Sequence, residues 1–141
     1  MRVFMDNMIP GTIFDLDYGY AEVRLKVMIG HAEVDATVPR EQVTEMGLAR
    51  GVQVLICFDA SRVLFATDRG RVTQIAGVNK LAGMVTKIER TPVRTRVCIN
   101  LSGGQRVIGD IDEDELSYLG LSLNDTAVAL IKPSEIFVVT A

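Results

Sequence analysis

The sequence predicts an all-β protein with short helices, arranged as two tandem OB-like Greek-key β-barrels. Three observations support this fold class. Several positions of the first half recur in the second at a nearly constant offset, apolar residues alternate in most segments, and each half has one short helical stretch followed by glycine. Four or five short strands with one helix in about 65 residues suit a small Greek-key barrel.

The repeat first appears as a constant offset of 72 residues, which joins Asn7 to Asn79 and Gly11 to Gly83. Further pairs at this offset are Leu16 with Ile88, Leu25 with Val97, Val27 with Ile99 and Ile29 with Leu101. After the turn at 102–105 the offset becomes 73, and the pairs are Val38 with Ile111, Gly47 with Gly120, Leu48 with Leu121, Ser61 with Ser134 and Val63 with Ile136. One extra residue in a Gly-Gly turn is tolerated because it leaves the strand registers unchanged.

The repeat predicts two domains, residues 1–68 and residues 75–141, joined by a polar linker at Asp68–Gln74. A module of this size is marginally stable alone. We therefore expect the two copies to pack against each other or against other chains, and we expect an oligomer.

Within each copy the elements follow from local pattern. Apolar residues alternate along 21–29 and along 93–101, a period of two that predicts strands. The segments Pro39–Met46 and Asp112–Leu119 lose this alternation and precede a glycine, so each is predicted to be a helix of about two turns. The remaining strands are predicted at 52–58, 63–66, 126–131 and 136–139.

Composition limits the classes of function. The chain has 141 residues, of which 48% are hydrophobic and 23% charged, and it contains no run of 18 apolar residues. We expect a soluble, cytoplasmic protein with no membrane partner, because the start of the chain does not have the pattern of a secretion signal. A net charge of −3 and the absence of tryptophan argue against nucleic acid as a partner.

Two short motifs are better explained by turns and strands than by ligands. The string LSGGQ at 101–105 spells the signature of ABC-transporter ATPases, but the chain has no phosphate-binding loop, and a strand pattern follows at 106–108. We interpret it as a hairpin turn. Arg90, Arg94, Asn100 and Ser102 resemble the PilZ cyclic-dinucleotide pattern, but the spacing is too short.

No arrangement of residues indicates an enzyme or a metal centre. His31 is the only histidine and is predicted to lie in a loop, while Cys57 and Cys98 are lone thiols within apolar runs. The acidic run 110–115 begins the second helix, where carboxylates interact favourably with the helix dipole. We interpret the cysteines as packing residues and the acidic run as a solvated helix start.

The order and duplication of several short strings resemble the molybdate-binding Mop or TOBE domain, and the tandem resembles the two-domain molbindins. The strings in the first copy are NMIPGTI at 7–13, MGL at 46–48 and ASRV at 60–63. Those in the second copy are NKLAG at 79–83, YLGL at 118–121 and IKPSEI at 131–136. The resemblance covers nearly the whole chain.

The resemblance implies a homotrimer with oxyanion sites between modules, holding molybdate or tungstate as a bound, non-catalytic ligand. A tetrahedral dianion is held well by backbone N–H groups, hydroxyls and an occasional lysine. Carried over by position, the site residues are Asn7 and Ser61 in the first copy, and Asn79, Lys132 and Ser134 in the second. The implied function is intracellular oxyanion storage or homeostasis.

Some positions differ from the family pattern and motivate a second hypothesis. Where the family has Ser and Arg, the first copy has Phe4 and Asp6 and the second has Ala76 and Val78, and Asp59 replaces the first copy's lysine. The alternative is an oligomeric module of the same fold that has lost oxyanion binding and serves regulation or protein interaction. A pair of OB barrels that binds nucleic acid is a third hypothesis.

Overall fold

The structure is a computed structural model and describes residues 4–67 and 69–141. The strands are β1 (Asn7–Tyr18), β2 (Glu22–Ile29), β3 (Ala32–Pro39), β4 (Gln53–Phe58), β5 (Leu64–Ala66), β6 (Asn79–Arg90), β7 (Thr95–Leu101), β8 (Arg106–Ile111), β9 (Thr126–Ile131) and β10 (Phe137–Thr140). The helices are α1 (Arg40–Glu45), α2 (Arg69–Val72) and α3 (Glu113–Leu119). A first 3₁₀ turn (Ala60–Arg62) precedes β5, and a second (Pro133–Glu135) precedes β10.

The two halves of the chain exchange their last strands. One antiparallel sheet has the order β10-β4-β1-β2-β3, and the other has the order β5-β9-β6-β7-β8. Thus β10, from the second half, pairs with β4 of the first, with Phe137 opposite Cys57. In return β5 pairs with β9, with Leu64 opposite Leu130. Neither half completes its sheet from its own strands.

Both sheets curl at the same repeated position. The pairing of β1 with β2 shifts register between Ile13 and Asp15, and that of β6 with β7 shifts between Val85 and Lys87, the matching residues 72 positions later. A β-bulge bends its strand and increases the local twist. The bulges therefore help each sheet to curl around its core.

The core is formed by the alternating apolar residues that the sequence pattern predicts. Val23, Leu25, Val27 and Ile29 are fully buried on one face of β2. Buried residues of the two halves form one continuous cluster. The halves thus share a core as well as a sheet edge.

The two cysteines lie in these strands. Cys57 and Cys98 are buried and free, and burial raises the pKa of the Cys57 thiol. Their interpretation as packing residues is confirmed.

Most predicted helices and strands are confirmed, and the elements that were not predicted lie in the connections between strands. The two predicted helices appear as α1 and α3, the LSGGQ string forms the turn between β7 and β8, and His31 lies in the turn before β3. Neither α2, within the polar linker, nor the two 3₁₀ turns were predicted; Asp68 lies outside the described residues. The division into residues 1–68 and 75–141 stays a prediction, and the sheet pairing crosses it at β5 and β10.

The exchanged strands fit the opposite halves through complementary side-chain volumes. The ring of Phe65, on β5, lies over Gly109 of β8, where a Cβ atom would be 2.6 Å from the Cζ atom of the ring. At the matching positions of the other sheet, offset by 73 residues, the pair is Val138 and the fully buried Ala36. One sheet thus combines a large side chain with glycine, and the other sheet combines a smaller side chain with alanine at the matching positions.

We predict that Gly109→Ala lowers the free energy of unfolding by about 1–3 kcal/mol, because the added methyl overlaps the Phe65 ring. Adding Phe65→Val, which recreates the pair in the other half, should recover most of that loss. Urea unfolding of both single variants and the double variant measures this coupling. Additive losses would show that Gly109 and Phe65 do not pack together.

Candidate anion-binding site

The predicted residues of the second half are brought together at one end of its sheet. Asn79 begins β6 and lies opposite Ile131, the last residue of β9. Lys132 follows directly, and Ser134 lies in the second 3₁₀ turn; both are exposed. The chain therefore places a lysine and a hydroxyl within three residues, beside the strand end that carries Asn79.

The first half repeats this arrangement with different chemistry. Asn7 begins β1 opposite Phe58, and Ser61 lies in the first 3₁₀ turn. The residue that matches Lys132 is Asp59. The two predicted first-half residues are thus near one end of their sheet, but with a carboxylate in place of the ammonium group.

The two asparagines fasten the halves to each other. The Asn79 amide accepts a hydrogen bond from the backbone N–H of Asp35 and donates one to its carbonyl, both at 2.8 Å. The Asn7 amide does the same to Ile108, at 2.7 and 2.8 Å. We name these two contacts the asparagine clasps; both amides are buried, and each satisfies a strand of the other half.

The clasps and the 3₁₀ turns contact the same strands. Asp35 lies on β3, and the second 3₁₀ turn packs against β3; Ile108 lies on β8, and the first 3₁₀ turn packs against β8. Each candidate site is therefore built at a junction between halves. The asparagine amides are already engaged with backbone, so their direct contact with an anion stays a prediction, as it does for Ser61, Lys132 and Ser134.

The electrostatics of the second-half site favour an anion. Among the described residues, no carboxylate lies within ion-pair distance of Lys132. The Asp35 carboxylate is 3.7 Å from Arg24, and the Glu135 carboxylate is 3.5 Å from Arg62. Asp35, on the strand that the second 3₁₀ turn packs against, and Glu135, in that turn, thus each pair with an arginine and not with Lys132.

The first-half site contains an ion-pair network that sequence reasoning missed. Asp6 accepts a hydrogen bond from the backbone N–H of Ala60 at 3.0 Å and lies 3.3 Å from the Arg96 guanidinium. Arg96 is also bound to Asp110 at 2.9 Å, and this hydrogen bond is the main reason why the pKa of Arg96 is raised. No local sequence pattern predicts this network, because its members come from opposite halves.

Residues 4–67 and 69–141 contain neither a cluster of metal-binding side chains nor a membrane-spanning helix. No group of three or more His, Cys, Asp or Glu side chains is arranged to hold a metal ion. None of the helices there is long and apolar enough to cross a membrane.

Comparison with known families decides the relationship that the fold suggests. The model of the TOBE domain matches the chain twice, at residues 5–65 and at residues 69–138. The chain belongs to the TOBE domain family. Its two TOBE repeats correspond to the two halves whose last strands are exchanged.

Relatives of this TOBE protein are described as molybdenum proteins. The chain is 34% identical over 140 residues to the molybdenum-pterin-binding protein MopA of Rhodobacter capsulatus, and 26% identical over 139 residues to the molybdenum transport protein ModE of Herbaspirillum seropedicae. These alignments cover 96% and 98% of this chain but 51% of each relative. The chain thus spans about half the length of these relatives.

A solved structure matches over its full length. The cytoplasmic molybdate-binding protein ModG, in a crystal form with molybdate bound, is 27% identical and superposes with a TM-score of 0.92, covering 100% of both chains. The tandem TOBE architecture predicted from the repeat is therefore confirmed.

We predict that Asn7→Ala lowers the free energy of unfolding by about 2–4 kcal/mol, because it leaves the Ile108 N–H and carbonyl without their clasp partner. The matched control is Asn100→Ala, since Asn100 is exposed and its side chain makes a long, 3.5 Å contact with Thr86. That change should stay within about 0.5 kcal/mol of the natural protein. Equal effects of the two changes in urea unfolding would contradict the clasp.

Proposed function

We propose that this TOBE protein binds molybdate or tungstate as an intact oxyanion and serves in its storage or homeostasis without catalysing a reaction. The observation that carries the proposal is the exposed Lys132 and Ser134 pair at the junction of the halves, in a chain that superposes over its whole length on a protein with molybdate bound. The bound oxyanion is the ligand and has no catalytic role.

The chemistry of the second-half site suits such a ligand. Molybdate and tungstate are tetrahedral dianions at neutral pH, which accept hydrogen bonds at all four oxygens and gain from a nearby cation. Lys132 supplies an ammonium group and Ser134 a hydroxyl, while Asn79 fixes the strand beside them. Hydrogen bonds between charged partners are about twice as strong as neutral ones.

The alternative hypothesis, a TOBE module that has lost oxyanion binding, is less well supported. It is motivated by the substituted pocket positions, which are Phe4, Asp6 and Asp59 in the first copy and Ala76 and Val78 in the second, and none of these replaces Lys132 or Ser134. Lys132 and Ser134 remain exposed and accessible. The relatives are named for binding or transporting molybdenum compounds, which also favours the binding hypothesis.

We propose the cytoplasm as the location and no enzymatic activity. Support for the location comes from ModG, which is described as cytoplasmic. Support for a binding role comes from the same source and from MopA, both described as binding proteins.

We predict that calorimetric titration detects molybdate and tungstate binding, and that Lys132→Ala weakens it at least tenfold. Loss of one hydrogen bond to a charged group costs about 1.5–3 kcal/mol, which corresponds to a factor of ten or more. Lys87→Ala is the matched control, because Lys87 is exposed and pairs with Glu89 at 3.0 Å on β6. If no oxyanion at millimolar concentration gave a heat of binding, the proposed function would be contradicted.

We also propose that the protein is a homotrimer, as the family resemblance implies. Support comes from an open apolar groove of about 880 Å³ between β3, α1 and β10, and from Phe137 at its edge, which is 61% exposed. Apolar surface of this kind is typical of contacts between chains.

We predict that sedimentation analysis gives a mass about three times the 15.4 kDa of one chain. Phe137→Asp should lower that mass because it places a charge in the contact. Tyr20→Asp, at a fully exposed loop residue, is the control and should leave the mass unchanged. A natural protein that sediments as a monomer would contradict the trimer.

A further inference from the structure

The two 3₁₀ turns can be compared position by position through the offset of 73 residues. Lys132 in the second half matches Asp59 in the first, Pro133 matches Ala60, and Ser134 matches Ser61. The turns share their geometry, since the residue before each is extended, at φ −71° and −74°. They differ in the donor that the turn offers, since Ala60 has a backbone N–H and Pro133 has none, and in the side chains around it.

The first turn already has an anion bound to it, and that anion is part of the chain. The Asp6 carboxylate accepts the backbone N–H of Ala60 at 3.0 Å. The matching residue in the second half is Val78, which cannot accept a hydrogen bond through its side chain. A carboxylate of the chain itself therefore contacts the first turn, whereas the residue matching Asp6 supplies no carboxylate to the second turn.

Arg96 holds the Asp6 carboxylate in place. Its guanidinium lies 3.3 Å from one oxygen of Asp6, while the other oxygen takes the Ala60 N–H. Asp110 fixes the same guanidinium with hydrogen bonds at 2.9 and 3.3 Å. The three charged side chains are between 15% and 26% exposed, so they form a half-buried network and not a loose surface pair.

We propose that Asp6 is an internal occupant of the first-half oxyanion position, so that each chain offers one open position and not two. The inference rests on the proposed function, because it takes the Lys132 turn as the open position. Asp6 satisfies the turn's N–H and so fills the position, and Asp59 places a carboxylate where the second half has Lys132. The chain has kept two copies of the fold and one copy of the site.

The decisive measurement is the number of oxyanions bound per chain, taken from calorimetric titration with molybdate. The natural protein should bind one. The double variant Asp6→Ser with Asp59→Lys removes the internal carboxylate and restores the lysine, and it should bind two. Two molybdate ions per natural chain would overturn the proposal while leaving the proposed function intact.

A matched control separates occupancy from charge. The side-chain oxygen of asparagine can still accept the Ala60 N–H, so Asp6→Asn with Asp59→Lys keeps the position filled and should bind one molybdate. If this variant binds two, the charge of Asp6 and not its occupancy closes the position, which contradicts the proposal. A double variant with Asp6→Ser that is folded by circular dichroism but still binds one also overturns it.

Lys132→Ala provides a test that needs no change at Asp6. In this variant every molybdate should bind with the same, weakened affinity, because the proposal leaves the second-half position as the one open position. A remaining class of sites with the natural affinity would show that the first half also binds, and would overturn the proposal.

The natural protein could bind no molybdate while the Asp6→Ser and Asp59→Lys variant binds one. That result would refute the proposed function and support the role of Asp6. The two conclusions therefore fail separately.

Discussion

The exchange of the last strands, fastened by the asparagine clasps, is the constraint on which the rest of the structure depends. A strand at the edge of a sheet has unpaired N–H and carbonyl groups, and these need partners when the edge is buried. Here β10 pairs with β4 and β5 pairs with β9, while Asn7 and Asn79 satisfy backbone groups at Ile108 and Asp35. Because the 3₁₀ turns directly precede the exchanged strands, the exchange carries each turn to the opposite half. The candidate site lies at the junction for this reason.

The sequence predicts the elements well because each depends on local pattern. The alternation along β2 predicts its buried face, and Gly120 marks the end of α3, where the backbone adopts φ +64°. The exchange leaves no such signal. The sequence of Phe137–Thr140 predicts a strand but does not say which strand it pairs with. Its pairing with β4 depends on contacts between residues far apart in the chain. The same limit applies to the candidate site, because Lys132 and Ser134 are proposed from a linear motif, whereas Arg96 and Asp110 reach Asp6 only through the fold.

The two halves differ in a coupled way at some positions whose side chains lie against each other. Phe65 lies over Gly109 in one sheet, and at the matching positions of the other sheet the smaller Val138 occurs together with the larger Ala36. The charged positions diverged in the same coupled manner. Arg96 matches Arg24 in the first half, and each arginine pairs with a carboxylate on the adjacent strand, Asp110 in one case and Asp35 in the other. Only Arg96 also reaches the opposite half, where Asp6 lies.

The residue at the start of each 3₁₀ turn explains why Asp6 is needed in one half and not in the other. Ala60 is buried and has a backbone N–H that requires an acceptor, since an unpaired buried donor costs about 1–3 kcal/mol. Pro133 at the matching position has no N–H, so the second turn needs no internal acceptor and Val78 suffices. The proline ring also fixes φ next to Lys132, which lowers the conformational entropy lost when the turn is ordered around a ligand. The change from alanine to proline thus explains why the first turn depends on the Asp6 carboxylate and the second turn needs no such acceptor.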